Sequence, residues 1–452
     1  MPRNPLSSGQ KSKASVPSAC KALTATDFSR RLAKLSGISK NMPAHFALAV
    51  SGGADSLALL ALAAKVTNPN WRFSVLTVNH GLRAAAAKET RYVAKLARAH
   101  GLKVKTLDWQ GAAPTRDIQA AAREIRYQLM TDWCQQKSCT ALVVAHHLED
   151  QAETFLLRLA RGSGLDGLSA MQSCSVHHGV RLLRPFLDMP RARLHATTQK
   201  AGFAPVDDPS NHDDRFARVR MRQVMAALAA EGLSAARLSE TAARLQSARA
   251  ALDEITGQAL ADFVTQDAYG TVYVDRTAFK KLPEEVTRRL MARLLTSQSA
   301  YLSASLSFYP PRAERVAAVL TDIKANRLAG RTLNGFLLRL RRSQLVICRE
   351  PQAAAKHSVR LAPGAACRWD DRFDVKWHKK TGFSVNLSAL GKDGVQGLRD
   401  RGIVLPKQVP AATLAALPAL RRGKQIYAVA LLLPRAGADF SLCDVPNCRR
   451  DE

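Results

Sequence analysis

Apolar and polar positions alternate along this chain in two distinct periods. Phe46–Val50 is an unbroken apolar run, followed by helical spacing over Ser56–Val66. Phe73–Val78 repeats the apolar run, and Ala84–His100 repeats the helical spacing up to Gly101. Lys103–Trp109 alternates as a third strand would, and Asp117–Gln136 places Ile118, Ala122, Ile125, Leu129 and Trp133 on one helical face. Ala141–Ala145 is a fourth apolar run, and Glu149–Arg161 a fourth helix stopped at Gly162. Ahead of these, Phe28, Leu32 and Leu35 predict a short amphipathic helix before Gly37. Strands this apolar, each followed by a helix, predict an α/β fold with a doubly wound parallel sheet covered on both faces. Such sheets bind ligands beyond the carboxyl ends of their strands. The residues to inspect therefore follow Val50, Val78 and Ala145.

The pattern changes after residue 222. Residues 223–350 carry Ala, Leu and Arg at helical spacing, ending in Arg331–Gly335 and an alternating stretch, Leu337–Cys348, that predicts a small sheet. Residues 351–358 look like a linker, and 351–452 read as a small mixed α/β module. The expected organisation is a flexible basic extension over 1–24, an α/β domain over 25–222, a mainly helical domain over 223–350, and a C-terminal domain over 351–452. No stretch approaches the roughly 18 consecutive apolar residues of a membrane helix. Residues 1–40 hold eight Lys and Arg against one acid, Asp27, with no apolar core that would make a secretory signal. A cytoplasmic protein is expected.

Charge adds a partner to this picture. The 452 residues include 67 Lys and Arg against 37 Asp and Glu, a formal charge of +30. A chain that tolerates so much self-repulsion is expected to meet a polyanion. Aromatic residues make up only 6%, so base stacking cannot dominate that contact. The eight cysteines contain no Cys-x-x-Cys pair, and Cys134/Cys139 and Cys443/Cys448 are too far apart for the usual zinc spacing.

The chemistry concentrates in Ser51-Gly52-Gly53-Ala54-Asp55-Ser56, between the first strand and the first long helix. Two glycines let the backbone approach a phosphate, and the N–H groups at a helix start form an anion cradle. No Gly-Lys-Ser/Thr follows, so this is not the loop that delivers a lysine to a triphosphate. Ser51 and Ser56 can donate hydroxyls. Asp55 would repel phosphate unless a divalent cation stood between them, which implies Mg²⁺. The competing explanation of the same residues is ordinary helix capping.

Further segments resemble one family. They are Val78-Asn79-His80-Gly81-Leu82-Arg83, Ala121–Tyr127, Ala145-His146-His147-Leu148-Glu149-Asp150-Gln151-Ala152-Glu153-Thr154, Arg161–Leu168, Arg184–Leu187, Asp208–Asn211, Arg331–Gly335 and Leu417–Gly423. With the Ser51–Ser56 loop they resemble the tRNA(Ile)-lysidine synthetases, a branch of the PP-loop ATP pyrophosphatases, over about residues 28–435. The chain departs from that pattern at Asn79, where the family usually has Asp, and at Val219, where it often has Asn.

The resemblance implies a Rossmann-like PP-loop domain over 25–222 and tRNA-binding domains beyond it. It implies ATP and Mg²⁺, free L-lysine as the nucleophile, and a CAU-anticodon tRNA(Ile) as the acceptor, with no membrane partner. The oligomeric state is not read from the sequence, a homodimer being one option. Ser51, Gly52, Gly53, Ala54, Asp55 and Ser56 would bind ATP. Asp55 and Asp150 would hold the metal, and Asp55, Asp150 and His146 are the catalytic candidates, with His147 not yet separable from His146. Glu153 reads as a surface or capping residue. Arg123, Arg215, Arg218, Arg220 and Arg222 are candidate tRNA contacts, each also explicable as a solvated or snorkelling arginine.

Three other classes fit less of the sequence. A thiolating PP-loop enzyme commonly needs a cysteine pair, an RNA-binding protein with a decayed loop would not keep all of Ser51–Ser56, and a small-molecule amidotransferase leaves the charge unexplained. The charge itself makes a prediction. Affinity for unmodified tRNA, measured by filter binding across a salt series, should fall steeply with salt; a flat series would contradict phosphate-driven binding.

Overall fold

The computed structural model describes residues 20–79, 81, 86–111, 118–206, 214–215, 217–300, 313–434, 437–442 and 449–450. Most of the 1–24 extension therefore lies outside the described residues, as do His80, Leu82, Arg83, Asp208–Asn211, Phe216, Cys443 and Cys448. The chain divides into two compact units, Met1–Ser247 and Ala248–Glu452.

The first unit runs α1 (Ala25–Ser36), β1 (Ala44–Ala49), α2 (Ala54–Ala63), β2 (Trp71–Asn79), α3 (Ala86–Ala99), β3 (Lys103–Asp108), α4 (Ile118–Gln136), β4 (Ala141–Val143), α5 (Leu148–Leu159), α6 (Leu165–Leu168), β5 (Cys174–His177), β6 (Val180–Leu183), α7 (Arg191–Lys200) and α8 (Ala217–Ala230). Its sheet has the order β3-β2-β1-β4-β6-β5. All neighbours are parallel except the β5–β6 hairpin. One face packs against α1, α2, α3 and α7 around Phe28, Phe46, Leu57, Phe73, Val93 and Leu194. The other face packs Leu76, Leu142 and Leu182 against Tyr127, Met130 and Cys134 of α4. This is the doubly wound parallel arrangement expected. Every residue of α2 from Ser56 to Ala63 is buried, which is why that helix is apolar all round.

Local differences have physical causes. The β5–β6 hairpin escapes a pattern reading because each strand has four residues and mixed polarity. The chain is also held earlier than residue 25: the Leu23 N–H donates to Thr197 Oγ1 (2.8 Å), and the Thr24 hydroxyl accepts from the Asp27 N–H (3.1 Å) to cap α1. The helical segment does not part from the sheet at residue 222. Leu238 and Ala242, in the first half of α9 (Ala235–Phe263), bury themselves with Ala152, Phe155 and Leu156 of α5, and Met221 and Met225 of α8 pack alongside.

Glu153 is a correction. Its position one turn into α5 marks it as a surface residue, yet it is 1% exposed. It accepts a hydrogen bond from Arg222 Nε of α8 at 2.5 Å. Burial pushes its carboxyl above the usual range even against the pull of Arg222. Spacing within α5 does not reveal that α8 covers this face and brings Arg222 to it.

The second unit takes the rest of α9, then β7 (Val264–Gln266), β8 (Val272–Asp275), α10 (Arg276–Lys281), α11 (Glu284–Ala300), α12 (Ala313–Lys324), β9 (Arg331–Leu333), β10 (Phe336–Arg341), β11 (Gln344–Arg349) and α13 (Pro351–Ala354). It continues through β12 (Val359–Leu361), β13 (Ala366–Trp369), β14 (Phe373–Trp377), β15 (Val385–Ala389), α14 (Gly391–Asp400), α15 (Ala411–Ala415), β16 (Pro418–Arg422), β17 (Gln425–Val429), β18 (Ala438–Leu442) and β19 (Arg449–Arg450). Three sheets result, ordered β19-β7-β8-β11-β10-β9, β12-β15-β16-β17 and β13-β14-β18. The expected linker at 351–358 contains α13, whose Ala354 is buried. Across it, Arg349 of β11 and Arg372 both donate to the buried Asp370 in the β13–β14 turn. Thr271 and Thr413 share a buried hydroxyl hydrogen bond (2.8 Å). Among the described residues, no helix is long and apolar enough to cross a membrane.

The Glu153–Arg222 pair supports a stability prediction. Arg222→Ala leaves a buried carboxylate without its cation and should cost about 3 kcal/mol, the low end for a buried pair because Arg222 is partly solvated. Glu153→Gln should cost less. Urea unfolding midpoints of the two variants give the comparison.

Candidate functional site

Chain order reverses between β1 and β4, so the loops that follow them flank a crevice at the carboxyl ends of the strands. In the first loop, Gly52 has φ +95°, where a side chain is strained, and a Cβ there would lie 3.3 Å from Val206 Cγ2. Gly53 caps α2 from an extended conformation, and Ala54 is the first helical residue. Ser56 Oγ accepts the Ser51 N–H (3.2 Å), donates to the Gly53 carbonyl (2.9 Å) and lies 3.4 Å from Ser51 Oγ. The Thr198 hydroxyl of α7 donates to the Ala54 carbonyl at 2.7 Å. The loop is thus shaped from within and pinned from α7, leaving the start of α2 with its positive end toward the crevice.

The second loop brings His146 and His147 from β4 into α5. Asp150 Oδ2 accepts the His147 N–H (3.1 Å), so Asp150 does the work of a helix cap. The same oxygen lies 3.4 Å from His147 Nε2, and Asp55 Oδ2 lies 3.6 Å from that nitrogen. On the other side of the ring, His147 Nδ1 is 3.0 Å from Glu149 Oε2. Burial alone would lower the His147 pKa. Its hydrogen bonds to Asp55 and Glu149, with the charge of Asp150, overcome that and push it up to about 10. His147 is therefore an imidazolium amid three carboxylates.

Two side chains of α7 also stand beside Asp55: Arg191 Nε at 3.7 Å and His195 Nε2 at 3.6 Å. Burial works to raise its pKa, but the hydrogen bond and charge of His147, with Arg191 and His195, hold the carboxyl below its usual range. Its Oδ1 is buried without a hydrogen bond. The Arg191 N–H also donates to Glu149 Oε2 (2.9 Å), tying α7 to α5.

His146 faces a different environment. Its Nε2 is 3.5 Å from a guanidinium nitrogen of Arg123, and its Nδ1 is buried and unbonded. Burial, reinforced by Arg123, Arg184 and Arg218 against the opposing pull of Asp150, lowers its pKa to about 3, so the ring is neutral. Arg123 also donates to the Tyr127 hydroxyl (3.3 Å) and covers its ring at 5.2 Å.

Of the sequence candidates, the structure gathers Asp55 and Asp150 on one side of His147, within one crevice with the Ser51–Ser56 loop. It puts His146 with Arg123. Arg220 donates to the carbonyls of Asp214 and Arg215, Arg222 pairs with Glu153, Arg218 is half-buried and Arg215 is exposed. Arg158 is tied to the carbonyls of Gly167 and Ala170 (2.8 and 2.9 Å). Asn79 donates to Asp108 Oδ1 (3.0 Å) and accepts the Gly81 N–H (3.2 Å), and Val219 is buried. Arg191 and His195 went unnoticed in the sequence. They lie more than forty residues past the His-His motif, on a helix with no distinguishing pattern, and the packing of α7 on α2 brings them to Asp55.

A doubly wound sheet whose first crossover opens with Ser-Gly-Gly-Ala-Asp-Ser defines a PP-loop nucleotide-binding protein, and the PP-loop domain family matches residues 24–228. The chain is 36% identical over 395 residues to the tRNA(Ile)-lysidine synthase of Ruegeria pomeroyi, covering 87% of this chain and 90% of that one. It is 41% identical over 343 residues to the enzyme of the same name from Methylobacterium nodulans, covering 75% and 99%. The chain belongs to the tRNA(Ile)-lysidine synthase family. Among solved structures, a U34-tRNA thiolase from Methanococcus maripaludis aligns with 49% of this chain and 78% of its own at TM-score 0.42 and 18% identity, too distant to bear on activity.

The raised His147 pKa fixes a pH dependence. A group protonated more strongly in the folded than in the unfolded chain adds stability that is complete below the unfolded pKa, about 6.5, and fades as pH rises toward 10. The ligand-free protein should lose stability over that window in urea titrations. His147→Gln should flatten the slope, and an unchanged slope would show the imidazolium assignment to be wrong.

Proposed function

We propose that this chain attaches free L-lysine to C2 of the wobble cytidine of a CAU-anticodon tRNA(Ile), through an adenylated cytidine, releasing AMP and pyrophosphate. The product is lysidine, and codon reading changes from AUG to AUA. The observation that carries this reading is the meeting of the Ser51–Ser56 loop with Asp55, His147 and Asp150 in one crevice of a chain in this family.

The chemistry explains the parts. The C2 carbonyl oxygen is a poor leaving group, and transferring AMP to it makes it a good one. The N–H groups at the start of α2, with the Ser51 and Ser56 hydroxyls, suit the pyrophosphate that departs. Asp55 fits a Mg²⁺ ligand because its Oδ1 is buried without a hydrogen bond and its carboxyl is held ionised; Asp150, beside the same His147 nitrogen, completes the acidic side. When bound, Mg²⁺ neutralises phosphate charge. The carboxylates of Asp150 and Glu149 suit the lysine ammonium, which must lose a proton before its amine can attack. His147, already protonated, donates rather than accepts. His146, neutral with a pKa of about 3, is suited to accept a hydrogen bond and is a weak base. Arg123 stands beside it as a contact for phosphate or base.

Arg215, Arg218 and Arg220 on and before α8, together with the residues beyond 222, are the surfaces offered to the tRNA, and a cytoplasmic setting follows from that substrate.

The test is incubation with ATP, Mg²⁺, labelled lysine and unmodified CAU-anticodon tRNA. Label should enter the RNA with one AMP formed per lysine. AMP formation with another acceptor and no label in this RNA would overturn the reading. Asp55→Asn should reduce kcat by about a thousandfold or more while leaving tRNA affinity unchanged. If it unfolds the protein instead, Asp55 serves the helix and not the reaction.

A further inference from the structure

Three side chains with metal-binding chemistry meet outside the nucleotide crevice. β5 and β6 are joined by the two-residue turn His178-Gly179, with φ of +45° and +73° and His177 paired to Val180. Two consecutive left-handed residues match the strand twist of a tight hairpin, but glycine or asparagine usually fills the first position. A residue with a Cβ is uncommon there, although histidine is among those that tolerate it. In an extended strand, neighbouring side chains point to opposite faces. Here the turn leaves the His177 and His178 ring centroids 4.3 Å apart.

Both rings meet Glu124 of α4. His178 Nε2 is 2.7 Å from Glu124 Oε1, and His177 Nε2 is 3.9 Å from Glu124 Oε2. One ligand atom from each of the three residues lies within 4.8 Å of the others. His177 Nε2 is buried and makes no hydrogen bond. The neighbours hold this geometry: the Tyr127 ring packs edge-on to His177 at 4.7 Å, and Gln135 Nε2 donates to the His178 carbonyl at 2.7 Å.

We propose that Glu124, His177 and His178 form a site for a borderline divalent transition metal, of which Zn²⁺ is the natural occupant, clamping the β5–β6 hairpin to α4. Two imidazoles and a carboxylate are a zinc donor set that leaves a fourth position open. Ligands about 2.0–2.1 Å from a tetrahedral zinc are roughly 3.3 Å apart, and the two observed separations straddle that value. Arg123 and Arg184 bring positive charge near His177. The same arginines oppose a hard cation held by charge alone. A metal that gains covalency from imidazole is favoured over Mg²⁺. Since α4 also carries Arg123, next to His146, the clamp restrains the helix that borders the crevice.

The experiment uses the full chain, stripped with chelator, and Zn²⁺ presented from a buffered series. Wild type should bind one equivalent that the His177→Ala/His178→Ala double variant does not, and should melt at a higher temperature with Zn²⁺ than without. Glu124→Gln, a change at an exposed carboxylate, should weaken that binding about tenfold or more. Co²⁺ in the same site should give visible d–d bands without a thiolate charge-transfer band, separating it from sites built on cysteine. Equal binding by wild type and the double variant, or a thiolate band on the equivalent that the variant loses, would overturn the proposal. Circular dichroism of each variant shows that it is folded, and Glu124→Gln decides the matter should the double variant not be.

Discussion

A buried imidazolium holds together the loops that follow β1 and β4. Asp55, Glu149 and Asp150 approach one another at the starts of α2 and α5, where helix dipoles favour negative charge but like charges still repel. His147 sits among them and interacts with each. The contact needs four things at once: the loop after β1, the loop after β4, the order of those strands in the sheet, and α7 behind Asp55. Much of the first unit can be understood as what sets those loops at that separation.

The consequence is an acidic pocket in a basic protein. The carboxylates suit the cations of the proposed reaction, a metal ion or an ammonium, while a surplus of +30 suits a polyanionic partner. The surplus is not all available for RNA. Arg222 is spent on Glu153, Arg158 on backbone carbonyls, and Arg349 and Arg372 on Asp370. These arginines act inside one unit or the other, so a surface charge estimate from composition alone overstates the electrostatic footprint.

Residue types at the site divide by how locally their roles are encoded. The Ser51–Ser56 loop is legible because each residue answers a local need: glycine for a positive φ, serine for a hydrogen bond across the turn, aspartate in the first turn of a helix. Asp150 bonds back to the His147 N–H, a role that an acid in the first turn of a helix takes locally. Its second contact, with the His147 ring, comes from the fold. The two adjacent histidines could not be told apart in sequence, because a one-residue step sends one ring toward the carboxylates and the other toward Arg123.

Taken alone, the sequence determined the order and type of the first unit's principal elements, the position of its phosphate loop and the family to which the chain belongs. Those follow from periodicity and from motifs whose residues act on near neighbours. Tertiary structure decided what depends on distant segments meeting. It buried Glu153 under α8, carried Arg191 and His195 to Asp55, made His147 a cation and His146 neutral, and drew the β5–β6 turn against α4. Burial and electrostatic partnership are properties of three-dimensional neighbourhoods. A pattern of apolar positions specifies which face of an element turns inward, but not which charge will be waiting there.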